Sequence, residues 1–129
     1  MKQERYKQRL GAKGEELAEE YLNNKGFEIL KRNYRYKRKE IDLIVRDKNT
    51  VVFVEVKAGR SKRFGLPLEK VDLRKQKKII EVAQAFLAEN DFPDYDFRFD
   101  VVEIELVKEG NKINHIENAF ILAGDCDSI

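Results

Sequence analysis

Three charged residues near the middle of the chain have the types and the spacing of a site that acts on phosphate. Asp42 lies in one β-branched stretch, and Glu55 and Lys57 lie in the next, after a short polar turn. Mg²⁺ and Mn²⁺ prefer carboxylate oxygens, a backbone carbonyl and waters, and they leave positions open for a phosphate. A lysine on the same face as Glu55 can then act on the phosphate and on the attacking water.

The hairpin that carries these residues has a predicted register. The segment 47–50 (DKNT) is typical of a tight turn, and an even-numbered connection pairs Arg46 with Val51, Ile44 with Phe53, Asp42 with Glu55, and Glu40 with Lys57. Opposed residues share a face and successive residues alternate faces. One face is therefore apolar and must be core; it consists of Ile41, Leu43, Val45, Val52, Val54 and Val56. The other face gathers the charged residues at the open end of the hairpin.

The same spacing also fits an ordinary surface arrangement. Two neighbouring carboxylates repel each other. Either a bound metal cation or a cross-strand lattice of ion pairs would relieve this repulsion. In that alternative Lys57 neutralises Asp42 and Glu55, and Glu40 is solvated. The spacing by itself does not separate a metal site from a lattice.

Length and composition predict one globular domain over residues 1–129, with 123–129 as a loose tail. The chain is 42% hydrophobic and 39% charged, its net charge is +2, and it has one cysteine, Cys126. The sequence has no apolar run that could span a bilayer and no signal peptide, so we expect no membrane association and a cytoplasmic location. A single cysteine makes no internal disulfide.

Periodicity predicts the elements around the hairpin. We expect a helix from about Leu10 to Lys25, a strand from Phe27 to about Tyr36, and a second helix from about Asp72 to Asn90. Two further strands are expected at Phe97–Val107 and from Lys112 to about Leu122. Gly11 and Gly14 weaken the first helix, which indicates either close approach of another backbone or a helix start near Gly14. Glu15 borders the buried side of this helix, either to complement the helix dipole or to face the acidic end of the sheet.

Basic residues cluster in three places. Six of the nine residues from Lys31 to Lys39 are Lys or Arg, with two tyrosines between them, which fits either a nucleic-acid surface or a charged edge strand. The loop 58–68 and the start of the second helix are also basic, and a phosphate would explain positive charge at a helix N-terminus. The candidate phosphate contacts are Arg32, Arg35, Arg60, Lys62, Arg63, Lys75 and Lys78.

Several separated blocks resemble known proteins. Asp42 followed by Glu55-Val56-Lys57 resembles the restriction-endonuclease-like superfamily, whose signature is an Asp on one strand and Glu-x-Lys on the next. More closely, the chain is similar to the YraN-like family of uncharacterised bacterial proteins, which resembles archaeal Holliday-junction resolvases. The blocks that carry this similarity are Gly14-Glu15, Arg32-Asn33-Tyr34-Arg35, Glu40 to Ile44, Phe53 to Lys57, Gly65-x-Pro67 and Phe99-Asp100-Val101-Val102.

The resemblance implies a three-layer α/β fold, with a mixed central sheet flanked by helices, and a metal-dependent nuclease. Asp42, Glu55 and the Val56 carbonyl would hold Mg²⁺ or Mn²⁺, and Lys57 would orient or deprotonate the attacking water. Glu15 would complete the acidic site, and Lys75 would contact the substrate. Two departures from the family patterns are Ile41, where many superfamily members have proline, and Arg60, which lies one position later than expected.

The sequence thus leads to two hypotheses. The first is an endonuclease that hydrolyses phosphodiester bonds in DNA, including branched or structured DNA, and that works as a homodimer, as the resolvases do; RNA is an alternative substrate. The second is a nucleic-acid-binding protein that kept the fold without catalysis. A pure binder has no need for three carboxylates beside a phosphate path, because they repel nucleic acid.

Overall fold

Two helices enclose a five-stranded sheet in the computed structural model of the chain, which describes residues 2–59, 73–92 and 94–120. The chain runs from one helix through three strands to a second helix and two further strands. In chain order the elements are α1 (Lys2–Asn24), β1 (Glu28–Tyr36), β2 (Lys39–Asp47), β3 (Thr50–Gly59), α2 (Leu73–Glu89), β4 (Asp96–Glu105) and β5 (Lys112–Phe120).

The strands lie side by side in their sequence order, β1 to β5. Strands β1, β2 and β3 form an antiparallel meander, and β5 pairs antiparallel with β4. The β3–β4 pair is parallel, because the connection between these strands crosses the sheet through α2 instead of turning back at once. The sheet is therefore mixed, as the sequence predicts.

The central hairpin has the predicted register over most of its length. Asp47 pairs with Thr50 around the two-residue turn Lys48-Asn49, and the pairing runs up to Leu43 opposite Val54. Lys48 has a φ of 56°, the left-handed conformation that such short turns require. The expected continuation, with Asp42 opposite Glu55, is not part of this ladder.

Each helix covers one face of the sheet, which gives three layers. Helix α1 packs Ala18 and Leu22 on an apolar face that consists of Phe27, Leu43, Val45, Val52, Val54, Val102 and Ile104. Helix α2 packs Ile79, Val82, Ala83 and Phe86 on the opposite face, which consists of Ile41, Ile44, Val51, Phe53, Phe99 and Val101. The expected three-layer α/β architecture is confirmed.

Helix α1 begins at Lys2, about two turns before the predicted start, so the start near Gly14 is wrong. Gly14 instead marks a close approach between helix and sheet. A Cβ atom at this position would collide with the Cβ of Ala58 in β3, whereas a Cβ at Gly11 would meet nothing. The absent side chain at Gly14 therefore sets how deeply α1 sits on the sheet.

One prediction about the faces of the hairpin is wrong. Ile41 packs on the α2 face with Ile44, whereas Leu43 packs on the α1 face, although two residues so spaced should share a face. The alternation breaks at Asp42 and also at Asn33 on the adjacent strand, where φ is 48°. The pairs on either side, Arg32–Leu43 and Tyr34–Ile41, keep the same register, so both strands switch faces together.

Candidate active site

Asp42 lies where the pairing of β2 with β3 ends. Strand β2 stops pairing with β3 at Leu43. Beyond this point a side chain of β2 accepts the hydrogen bond from β3 in place of a backbone carbonyl: the Val56 N–H donates to Asp42 Oδ2 at 2.8 Å. This bond holds the carboxylate in the gap where the two strands separate.

The environment of Asp42 disfavours its negative charge. Burial and the neighbouring charge of Glu55 together raise the pKa of Asp42 to about 8, against the stabilising hydrogen bond from Val56. The charges of Glu15 and Glu40 act in the same direction. Among the residues that the structure describes, no Lys or Arg forms an ion pair with Asp42.

Glu55 lies on the α2 side of β3, and its side chain is only 12% exposed. Its carboxylate pairs with the Lys75 ammonium of α2 at 3.1 Å. Lys57 follows two residues later in the same regular strand, so it points to the same side of the sheet as Glu55. In the alternative salt-bridge lattice Lys57 would neutralise both Asp42 and Glu55; the ion pair seen at Glu55 among the described residues is the one with Lys75.

Glu15 approaches from the other side of the sheet. It projects from α1, one residue after the close contact at Gly14, and its Oε1 accepts a hydrogen bond of 2.8 Å from Asn33 Nδ2. Its charge acts on Asp42. The acidic site therefore has Asp42 in the gap between the strands, Glu55 on the α2 side and Glu15 on the α1 side.

Glu40 does not join this set as the hairpin pattern predicts. Because the faces switch at Asp42, Glu40 lies on the side opposite to Ile41 and therefore opposite to α2. It pairs with Arg35 of β1 at 3.5 Å. The acidic face at the open end of the hairpin thus loses one of its four predicted members.

The described residues supply two carboxylates, but not three, for a hard divalent cation. Within residues 2–59, 73–92 and 94–120, no three Asp, Glu, His or Cys side chains converge closely enough to hold a metal ion. Asp42 and Glu55 interact strongly and leave a deficit of positive charge, which is the chemistry of a Mg²⁺ site completed by a backbone carbonyl and waters. We therefore assign Asp42, Glu55 and the Val56 carbonyl to the candidate cation site, on which Glu15 acts through its charge.

The predicted phosphate contacts fall into three groups. Arg32 lies against Glu19 of α1, with Nη2 to Oε2 at 2.9 Å, and Arg35 and Lys75 have the carboxylate partners already described. Lys78 is an exposed residue of α2. Arg60, Lys62 and Arg63 lie outside the described residues.

A buried ionic cluster far along the sheet was missed by sequence reasoning. Asp100 of β4 is fully buried, and its carboxylate contacts His115 Nε2 at 2.7 Å and Arg98 Nε at 3.0 Å. Burial acts to raise the pKa of Asp100, but the hydrogen bonds from His115, Arg98 and the Asn118 backbone outweigh it and hold the pKa below its usual value. The aspartate in a run of alternating apolar residues was the available signal. This cluster is fully satisfied, and because His115 Nδ1 also lies 3.3 Å from the Tyr21 hydroxyl of α1, it anchors β5 and α1 to the sheet.

Known proteins match the chain over most of its length. The sequence model of the uncharacterised protein family UPF0102 matches residues 14–104, a range that contains Glu15, Asp42, Glu55 and Lys57. This family is the one that the sequence blocks predict, so the predicted relationship is confirmed.

Individual relatives extend the match. A UPF0102 protein of Caldanaerobacter subterraneus is 48% identical over 117 residues, which are 88% of this chain and 96% of the relative. A UPF0102 protein of Alkaliphilus oremlandii is 48% identical over 114 residues, 87% of this chain and 97% of the relative. One of Clostridioides difficile is 45% identical over 107 residues, 83% and 92% of the two chains. These names state no activity.

Proposed function

The chain belongs to the uncharacterised protein family UPF0102, and we propose that it is a metal-dependent endonuclease that hydrolyses phosphodiester bonds in DNA. One observation carries the proposal: Asp42 is held beside Glu55 in a partly buried gap with no ion-pair partner among the described residues. Keeping two carboxylates together in this way destabilises the fold. A site that binds a cation accounts for that cost, and a purely structural pair does not.

Asp42, Glu55 and the Val56 carbonyl are the groups that would hold the cation. Asp42 is oriented for this by the N–H of Val56, whereas Glu55 pairs with Lys75, which a bound cation would displace. Bound there, Mg²⁺ or Mn²⁺ would act as a Lewis acid on the phosphate and lower the pKa of a coordinated water. The protein's part is to fix the carboxylate geometry in advance.

Lys57 acts on the reacting groups. From the same side of the strand as Glu55, Lys57 as an ammonium would donate hydrogen bonds to a phosphate oxygen and orient the attacking water. As a neutral amine it would instead accept the proton of that water. Glu15 adds negative charge to the site from α1. Lys75 contacts the substrate phosphate when it leaves Glu55, and its position near the N-terminus of α2 favours an anion there.

DNA is the substrate that we propose, with branched or structured DNA first because of the resemblance to Holliday-junction resolvases; RNA is the alternative, and a homodimer is the implied assembly. Neither helix, in the part of the chain that the structure describes, is long and apolar enough to cross a membrane. Arg35, Lys75 and Lys78 are the exposed described cations that we assign to phosphate contact, together with Arg60, Lys62 and Arg63. Arg32 contributes less, since Glu19 already neutralises it.

A second candidate function is nucleic-acid binding without catalysis. It is favoured by the separation of Glu15 from Glu55 across the sheet, because over the described ranges no three potential ligands converge on one point. A protein of this kind would bind DNA in a salt-sensitive manner and leave it intact.

Cleavage assays separate the two functions. Labelled four-way junction, flap, single-stranded and duplex DNA are incubated with the purified protein in Mg²⁺, Mn²⁺ or EDTA, next to Lys57→Ala. Lys48→Asn is the matched control, because it removes a lysine at the far end of the same hairpin and suits the positive φ there. Metal-dependent cutting that only Lys57→Ala abolishes supports the nuclease. Tight binding without cutting, unchanged in Lys57→Ala, supports the non-catalytic binder.

A further inference from the structure

We infer that Asn33 is a positioning residue that holds the Glu15 carboxylate toward the acidic site; this inference rests on the proposed nuclease function. The direct observation is the hydrogen bond of 2.8 Å from Asn33 Nδ2 to Glu15 Oε1. It joins β1 to α1 at the level of the gap that contains Asp42. No role was assigned to Asn33 from the sequence pattern.

The backbone of Asn33 explains why an asparagine occupies this position. Its φ of 48° is left-handed, which is rare inside a strand, and among residues with side chains asparagine tolerates it best. Arg32 before it reaches Glu19 on the α1 side, and Tyr34 after it packs on Phe86 and donates to Glu89 on the α2 side. Asn33 therefore produces the switch of faces that it shares with Asp42, and the same turn of the backbone directs its amide to Glu15.

The hydrogen-bond partner of Glu15 is neutral, whereas the partner of the neighbouring Glu19 is charged. Glu15 and Glu19 lie one turn apart on α1, yet they have different partners. The guanidinium of Arg32 neutralises Glu19 and lowers the pKa of that carboxyl by hydrogen bonding. The Asn33 amide is neutral, so it orients Glu15 and leaves the negative charge of Glu15 to act on the gap around Asp42. A cation site gains from a carboxylate that is held in place but not cancelled.

The close approach of α1 to the sheet also helps to fix the position of Glu15. Gly14, the residue before Glu15, has no room for a Cβ against Ala58, so α1 lies closer to β3 than a residue with a side chain would allow at this position. Asn33 then fixes the direction of the side chain from the neighbouring strand. The position of Glu15 is thus determined by a backbone contact on one side and an amide on the other.

The test compares Asn33→Gly with Asn118→Gly. Glycine keeps the positive φ at both sites, 48° and 53°, and only the first change removes a bond to Glu15. We expect Asn33→Gly to keep the circular dichroism spectrum, to bind Mn²⁺ roughly tenfold more weakly by calorimetry, and to lower kcat on the preferred DNA with KM unchanged. Asn118→Gly should leave Mn²⁺ affinity and kcat as in the unaltered protein. Asn33→Asp, which also tolerates the backbone but repels Glu15, should be at least as impaired as Asn33→Gly.

The possible results separate the role of Asn33 from the proposed nuclease function. Mn²⁺ binding and kcat that are unchanged in Asn33→Gly would overturn the role of Asn33 and leave the proposed nuclease intact. An unaltered protein that neither binds Mn²⁺ nor cuts DNA would remove the proposed function, and this inference with it. If Asn33→Gly does not fold, nuclear magnetic resonance of proteins that keep Asn33 decides. The side-chain amide signals of Asn33 should shift between the unaltered protein and Glu15→Gln, and unmoved signals would contradict the bond.

Discussion

Asp42 accepts its hydrogen bond from Val56, although the two residues lie just beyond the last paired position of β2 and β3. A side-chain carboxylate thus occupies a place where a backbone carbonyl would sit in a longer ladder. The two strands lose a regular backbone hydrogen bond at this point, and the carboxylate is held in a fixed direction in a partly buried gap.

Replacing Asp42 with Asn should stabilise the metal-free protein at neutral pH. The folded-state pKa of about 8 lies above the ordinary value of 3.8, so the unfolded chain releases this proton first as the pH rises. Asp42 therefore destabilises the fold increasingly between pH 4 and pH 8. We expect Asp42→Asn to raise stability at pH 7.5 by about 1–2 kcal/mol, or roughly 4–10 °C in Tm, and to gain little at pH 4.

Thermal melts in EDTA at several pH values measure this effect. Asp47→Asn is the matched control, since Asp47 lies at the far end of β2 and makes only a long, partly exposed contact of 3.8 Å with Arg98; its loss should change stability by at most about 1 kcal/mol. A marked loss of stability in Asp42→Asn would instead mean that an ion pair holds Asp42, as in the salt-bridge lattice.

Divalent cations should reverse the sign of this effect. A cation that binds only the folded protein stabilises it by about 2.7 kcal/mol at a concentration one hundred times its Kd. Adding Mn²⁺ should therefore raise the Tm of the unaltered protein and leave that of Asp42→Asn nearly unchanged. Equal shifts in both proteins would show that the cation binds elsewhere.

Lys75→Gln should bind Mn²⁺ more tightly in the absence of DNA. The ammonium of Lys75 lies 3.1 Å from Glu55 and competes with a cation for that carboxylate. Removing a half-exposed competing charge is worth up to about 1 kcal/mol, which is a roughly two- to fivefold gain in affinity. Calorimetric titration measures it, with Lys78→Gln, one turn further along α2, as the control. Weaker binding in Lys75→Gln would mean that Lys75 supports the site through Glu55.

The two glycines of α1 should respond in opposite ways to alanine. At Gly14 the new methyl group collides with Ala58, so Gly14→Ala should destabilise the protein by roughly 1–3 kcal/mol and displace Glu15. At Gly11 the methyl group has open space, and helix propensity should add up to about 1 kcal/mol. Urea unfolding compares the two. A neutral Gly14→Ala would show that α1 can move off the sheet without cost.

Asp100 should contribute stability with the opposite pH dependence to Asp42. Its pKa is lowered in the fold, so its contribution is present above its ordinary pKa of 3.8 and disappears as the pH falls through its lower folded value. Asp100→Ala removes the carboxylate that contacts the buried ring of His115 and the half-buried guanidinium of Arg98, whose other carboxylate contacts, to Asp47 and Glu117, are longer at 3.8 and 3.9 Å. It should cost roughly 3–5 kcal/mol at pH 7. Denaturant titrations at pH 7 and pH 3 test this, and a loss that is equal at both values would contradict it.

The sequence by itself determined the elements, the register near the turn and the candidate chemistry. Alternation of apolar residues along β2 and β3 predicts strands, and a two-residue turn with an asparagine sets their pairing, because both depend on neighbours in the chain. The separated blocks around Glu15, Asp42 and Glu55 were sufficient to identify the family. The close approach at Gly14 was visible as a helix position that propensity disfavours.

Only the tertiary structure decided how the site is built. The switch of faces at Asn33 and Asp42 moves Ile41 to the α2 side and Glu40 away from the acidic face, and a polar residue in a strand does not reveal a positive φ. The bond between Asn33 and Glu15 spans 18 residues, and the buried pair of Asp100 and His115 spans 15. Contacts of this kind depend on how helices and strands pack in three dimensions, and no local period in the sequence encodes them.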